Sequence, residues 1–179
     1  MKTNSILTGI AIAVILNTIT VVQAADNQRI TNPHIDYSGF LKDAGKVQKL
    51  REDRRVSELD FIKMSQEAGV IVLDCRSADK YKMLHITGAI NLPLTDITEA
   101  ELAKVIPSKS TKVLIYCNNN FGGEPLAFAC KGPMASLNIY SFNTLFSYGY
   151  TNVYELGPFI DTSKSKINFS RDLEVKKPI

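Results

Sequence analysis

The sequence predicts an α/β fold: a parallel β-sheet with helices on both faces. Three observations carry this expectation. Val70-Ile71-Val72-Leu73 is a continuous apolar run of the kind that forms a strand buried on both faces, and Lys112 to Tyr116, apolar after its lysine, reads as a second. Helical patterns alternate with these runs, as they do where helices cross between parallel strands. The composition, 45% apolar and 22% charged, is that of a globular chain. A length of 179 residues fits one domain with modest extras and excludes a tandem pair of ordinary α/β domains. A formal charge of +3, gathered in no dense block, argues against a nucleic-acid partner.

The chain opens with a short positive start, Met1-Lys2-Thr3-Asn4, followed by an apolar stretch over residues 6–22. Val22-Gln23-Ala24 then places small residues where signal peptidase cuts. Residues 1–24 therefore read as a cleaved secretory signal peptide. The unbroken apolar run 9–16 is far shorter than the roughly 20 residues a spanning helix needs, so no stable membrane anchor is expected. The expected location is outside the cytoplasm, and periplasmic if the source is a Gram-negative bacterium. The remaining 155 residues suffice to bury a core without disulfides. Cys75, Cys117 and Cys130 all lie in this exported part, where disulfides are permitted, and their odd number leaves at least one thiol unpaired in a monomer.

After an irregular lead-in, Phe40, Leu41, Ala44, Val47 and Leu50 follow a helical spacing over residues 37–50, weakened by Gly39 and Gly45. The basic run 46–55 reads as a solvated helix end, with an anion-binding or docking face as the alternative. Ser57 to Asp60 resembles a capping box and starts a helix that Gly69 stops. The first buried strand follows, then a short helix at 78–83 and a short strand at 89–92. Thr98-x-x-Glu101 caps another helix ending before Pro107. The second buried strand occupies 112–116. A helix is expected over 134–148, closed by Gly149, and a last strand over 153–156. The lysine-rich tail beyond residue 160 either wraps the domain or is mobile.

In such a sheet, ligands bind beyond the carboxyl ends of the strands. Cys75 and Cys117 each end a buried strand. Cys117 opens a loop of Asn118, Asn119, Asn120, Phe121, Gly122 and Gly123, whose amide and small residues permit close approach of backbone N–H groups to an anion. This setting suits a sulfur nucleophile.

Several blocks, in order, resemble the rhodanese-like family. They are Val72-Leu73-Asp74-Cys75-Arg76-Ser77, then Tyr81 and His85-Ile86-Thr87-Gly88-Ala89-Ile90-Asn91-Leu92-Pro93. Next come Ile115-Tyr116-Cys117 and the closing run from Leu145 through Gly149-Tyr150 to Leu156. With residues 1–24 read as signal, the resemblance divides the rest into 25–54 as an N-terminal helical extension, 55–160 as the rhodanese-like domain and 161–179 as a polar tail. It implies a sulfurtransferase in which Cys117 takes a sulfane sulfur from a thiosulfate-like anion as a persulfide. The sulfur then passes to a thiol or cyanide. Asn118, Asn119, Asn120, Phe121, Gly122 and Gly123 would cradle the sulfur, Lys131 would attract the donor anion, and no cofactor is implied.

This sequence departs from the family pattern in its loop. Cys117 lies 28 positions before Leu145, roughly fifteen more than a compact loop would give. No basic residue stands between Cys117 and Cys130, and Glu124 is negative. The phosphatases related to this family need an arginine six positions after the cysteine. Position 123 is Gly, which argues against phosphatase chemistry. Counted forward from the strand, Cys117 takes the family's nucleophile position; counted back from the helix, Cys130 lies near it, and the more rigid strand end favours Cys117. Cys130 is otherwise a disulfide partner of Cys117 or a resolving thiol in a redox relay. A non-catalytic module that binds a protein partner is the alternative from another class. Asp74 and Arg76 match the family's Asp-x-Arg and read as a structural pair. His85 reads as hydrogen-bonded scaffolding and Cys75 as a packed thiol. No spacing of His and Cys resembles a metal site.

Overall fold

Helix α1 (Tyr37–Arg54) starts at Asp36, whose carboxylate accepts the Gly39 N–H at 2.8 Å. Val47 and Leu50 pack into the core, which outweighs the weak propensity of the helix's two glycines. The helix runs four residues beyond the expected end, where Arg51 bonds Glu155 and Arg54 lies over the Tyr154 ring. The computed structural model describes residues 30–172, so the expected signal peptide lies outside the described residues. Two compact units divide the chain at His34 and Ile35. The described part of the first is a turn in which His34 N–H donates to Asn32 Oδ1 at 2.9 Å.

The strands are β1 (Arg55–Val56), β2 (Ile71–Asp74), β3 (His85–Ile86), β4 (Ile90–Asn91), β5 (Val113–Tyr116), β6 (Phe121–Gly122), β7 (Val153–Leu156), β8 (Ile160–Asp161) and β9 (Phe169–Ser170). Five form one sheet in the order β1-β7-β5-β2-β4, every pair parallel. From β2 the chain moves outward to β4 on one side, and from β5 to β7 on the other. The connections therefore diverge between β2 and β5, and the crevice this leaves lies at the carboxyl ends of those two strands.

Side chains alternate along each strand and build two cores. Leu73, Val113, Ile115 and Val153 face Val47 of α1, Leu102 of α4 (Glu99–Val105), and Phe142 and Leu145 of α5 (Leu137–Ser147). Val72, Leu114, Tyr116 and Leu156 face Phe61 of α2 (Glu58–Ser65), with Tyr81 and Met83 of α3 (Ala78–Met83) packed alongside. Helices thus cover both faces of the sheet. The expected caps are present: Ser57 Oγ accepts Asp60 N–H at 3.1 Å, and Thr98 Oγ1 accepts Glu101 N–H at 3.2 Å.

The helix expected over 134–148 begins later. Pro133–Ala135 is a 3-10 turn, and α5 starts at Leu137. It closes at Gly149, whose φ of +85° lets Tyr150 N–H reach Leu145 O at 2.9 Å. The tail wraps the domain, at least to Asp172: β8 pairs with β6, and β9 pairs antiparallel with β3. Phe169 of β9 completes an aromatic cluster with Phe121 and Phe128.

Candidate functional site

Asp74 ends β2 fully buried, and its carboxylate accepts Arg76 Nε at 2.9 Å and Arg76 N–H at 2.9 Å. The Tyr116 hydroxyl donates to the same carboxylate and accepts Ile86 N–H at 3.1 Å. Arg76 donates onward to Leu84 O at 2.8 Å and Ala127 O at 3.1 Å, and its guanidinium lies 4.3 Å from the centre of the Phe128 ring. Burial alone would push Arg76 down, but the Asp74 carboxylate overrides it and holds the guanidinium above its ordinary range. One ion pair therefore ties β2, β5, the α3–β3 corner and the long loop together. His85 Nδ1 lies 2.9 Å from Tyr81 O, and its ring stacks on Tyr81.

Cys117 follows β5 directly and is 1% exposed. Its N–H donates to Asn120 Oδ1 at 2.8 Å, and its sulfur lies 3.5 Å from Ser136 Oγ. Asn118–Asn120 form a single 3-10 turn. Asn120 N–H bonds back to Cys117 O, while the Asn118 and Asn119 N–H groups donate to no protein acceptor among the described residues. The Asn120 amide can sit only one way round, because its Nδ2 donates to Leu156 O at 2.7 Å. That fixes Asn138 too: its Nδ2 donates to Asn120 Oδ1 at 3.1 Å, and its buried Oδ1 has no protein partner among the described residues. An acceptor so placed needs a donor, which water or a bound molecule's O–H or S–H supplies. Replacing Asn120 with Ala strands Cys117 N–H and Leu156 O. We expect a loss of about 1–3 kcal/mol in denaturant unfolding.

A cavity of about 350 Å³ opens on Cys117, lined also by Asn119, Asn120, Ser136, Asn138, Arg51, Arg55 and Glu155. Phe121, Gly122 and Gly123 are not part of its wall. Phe121 is fully buried against Tyr116 and Phe128, and Gly122 pairs with Asp161. A Cβ at Gly122 would come within 2.8 Å of the Phe159 ring, and one at Gly123 within 2.9 Å of Thr162 Oγ1. These glycines permit close packing against β8 and do not form an anion cradle. Lys131 is also displaced. It lines a neighbouring cavity of about 670 Å³ with Cys130, Asn118, Lys80 and Arg76, and its backbone is clamped by the Asn119 side chain. Glu124 is paired with Arg171 at 2.7 Å and lies outside both walls.

All three cysteines are free thiols. Cys130 is exposed, its sulfur 3.7 Å from Asn118 O. Cys75 is packed beneath the site, and burial pushes its thiol up to about 12, with the Asp74 and Cys117 charges adding to the effect. Tyr116 is raised for the same first reason. The unfolded chain ionises Cys75 from pH 9.0, while the fold holds it neutral to about 12. Stability should therefore be full below pH 9 and fall as pH rises to 12, by about 1.4 kcal/mol per pH unit from this group. Denaturant midpoints across this range should decline less steeply in Cys75→Ala. Equal slopes would contradict the assignment.

With this geometry in place, likeness to known proteins can be weighed. A model of the rhodanese-like domain matches residues 57–157, more than half of the chain. The chain belongs to the rhodanese-like domain family. Thiosulfate sulfurtransferase PspE of Escherichia coli is 39% identical over 46 residues, which cover 26% of this chain and 43% of that protein. The aligned segment thus spans less than half the length of that relative. Among solved structures, the BH2092 protein of Bacillus halodurans is 27% identical with a TM-score of 0.42, covering 72% of this chain and 77% of its own. A rhodanese with anions from E. coli is 22% identical with a TM-score of 0.39, covering 57% of this chain and 98% of its own.

Arg51, Arg55, Ser136 and Asn138 line the Cys117 cavity but were missing from the site inferred from sequence. The basic run 46–55 was the one available signal, for the two arginines alone. Among the described residues no cluster of His, Cys, Asp or Glu is placed to hold a metal ion, and no helix is long and apolar enough to cross a membrane.

Proposed function

We propose that this rhodanese-like chain is a sulfurtransferase with Cys117 as its nucleophile and persulfide carrier. The observation that carries the reading is the position of Cys117: at the carboxyl end of the central strand β5, on the wall of a cavity shared with Asn119, whose N–H donates to no protein acceptor among the described residues. The Cys117 thiolate attacks the outer sulfur of a thiosulfate-like donor. A sulfur–sulfur bond forms, the donor's own sulfur–sulfur bond breaks, and sulfite leaves with that electron pair. A thiolate or cyanide then attacks the outer sulfur of the persulfide, forming a new persulfide or thiocyanate and returning Cys117 as thiolate. The Asn119 N–H, on the same cavity wall as Cys117, favours the anionic outer sulfur, as such a group does for an oxyanion. The N-terminal sequence supports export from the cytoplasm as the setting.

The redox-relay reading has weaker support, because Cys117 and Cys130 line different cavities. A non-catalytic binding module draws support from the 1% exposure of Cys117. Thiocyanate formation from thiosulfate and cyanide by the reduced full chain tests the enzyme reading. Steady turnover supports it, and none above the uncatalysed rate sinks it in favour of the module.

A further inference from the structure

The wall of the Cys117 cavity carries positive charge from outside the family segment. Arg51 stands in the last turn of α1 and Arg55 opens β1, both before residue 57, where the family match begins. Both meet Glu155 of β7, whose side chain is only 2% exposed. Arg51 holds it through two hydrogen bonds, Nε to Oε1 at 3.1 Å and a terminal nitrogen to Oε2 at 3.0 Å. Arg55 Nε lies 3.1 Å from Oε1, yet the Arg55 side chain is 56% exposed and makes no hydrogen bond to a protein acceptor among the described residues. Two guanidinium groups against one carboxylate leave one net positive charge on the wall.

We propose that Arg55, backed by the Arg51–Glu155 pair, is the anion-recognising group of this cavity and selects small anionic reactants for Cys117. The substrate class is a compact anion with a planar or tetrahedral oxyanion end, such as the sulfonate of a sulfur donor. The exposed N–H fork of Arg55 matches such an end with two parallel hydrogen bonds. Arg51 serves a different purpose. Its bond to Glu155 neutralises a buried carboxylate that would otherwise repel the anion, and holds it away from the ligand. As a substrate-selecting role, the assignment rests on the sulfurtransferase reading. As a property of the cavity, it is measurable without any sulfur transfer.

The test compares alkylation of Cys117 by iodoacetate, an anion, and by iodoacetamide, its neutral counterpart. Both displace iodide and leave a thioether, and peptide mass mapping reads each cysteine separately. In the full reduced chain, Arg55→Ala should lower the iodoacetate-to-iodoacetamide rate ratio at Cys117 by about fivefold to tenfold. The ratio at Cys130, in the neighbouring cavity, should stay unchanged. Arg55→Lys keeps the charge and should restore most of the ratio. Arg55 is chosen because Arg51 remains to pair Glu155, so the variant keeps its buried carboxylate satisfied. A ratio at Cys117 that is unmoved by Arg55→Ala, or that falls equally at Cys130, overturns the proposal. If the ratio falls but thiosulfate yields no persulfide, the anion site stands and the sulfurtransferase reading fails. If a persulfide forms and the ratio is unmoved, the reverse holds.

Discussion

Replacing Cys117 with Ser should abolish sulfur transfer, lowering thiocyanate formation by at least about a thousandfold, while the fold stays intact. Serine is nearly isosteric, and the Cys117 N–H bond to Asn120 Oδ1 that seats the residue uses the backbone alone. The hydroxyl differs in chemistry. It is a far weaker nucleophile at neutral pH than a thiol, and it cannot carry sulfur as a persulfide. Unchanged far-UV circular dichroism and an unchanged denaturant midpoint would assign the lost turnover to the sulfur atom. The matching change Cys130→Ser should leave turnover within about twofold, since Cys130 lines the other cavity. A large loss in that variant would revive the relay between the two thiols.

The second large effect is on stability. Arg76→Ala removes the partner of a carboxylate that has no access to solvent and strands Leu84 O and Ala127 O together. The expected cost is about 3–5 kcal/mol, the range for leaving a buried charge unpaired. For a chain of this length that lowers Tm by roughly 6–20 °C. Asp74→Asn should fall in the same range, because it orphans Arg76 and leaves the Tyr116 hydroxyl with a weaker acceptor. Thermal unfolding followed by circular dichroism reads both. A shift under about 2 °C in each would show that the pair is not the tie described. The long loop should loosen before the sheet does, since Ala127 O is its direct bond to Arg76. Limited proteolysis within residues 123–136 would report that order.

How much was visible in advance depended on whether each cause was local. Ser57 and Thr98 cap their helices through bonds three residues long, so the sequence pattern was enough. The continuous apolar runs around Val72-Leu73 and Leu114-Ile115 placed the two buried strands for the same reason, while which residue faces which core shows only in the fold. Arg51 and Glu155 stand 104 positions apart, and nothing near either arginine announces the partner. The run 46–55 was legible as charge, but its direction into the cavity comes from α1 packing against α5 and β7. Asn120 and Asn138 are 18 positions apart and look like ordinary polar residues until their amides meet. Gly122 and Gly123 were ambiguous for another reason. Glycine permits either an approaching anion or an approaching chain, and only the pairing of β6 with β8 decides between them. The long loop reads as an insertion, yet Ala127 and Phe128 are buried and Phe169 of the tail covers them. Its length serves packing as well as whatever passes near Cys117.

The most direct test of the central claim is the mass of the peptide containing Cys117 after the reduced chain meets thiosulfate. The expected result is a gain of about 32 Da, one sulfur atom, confined to that peptide, reversed by cyanide and missing in Cys117→Ser. An unmodified Cys117, or the same gain carried by Cys130 instead, would contradict it.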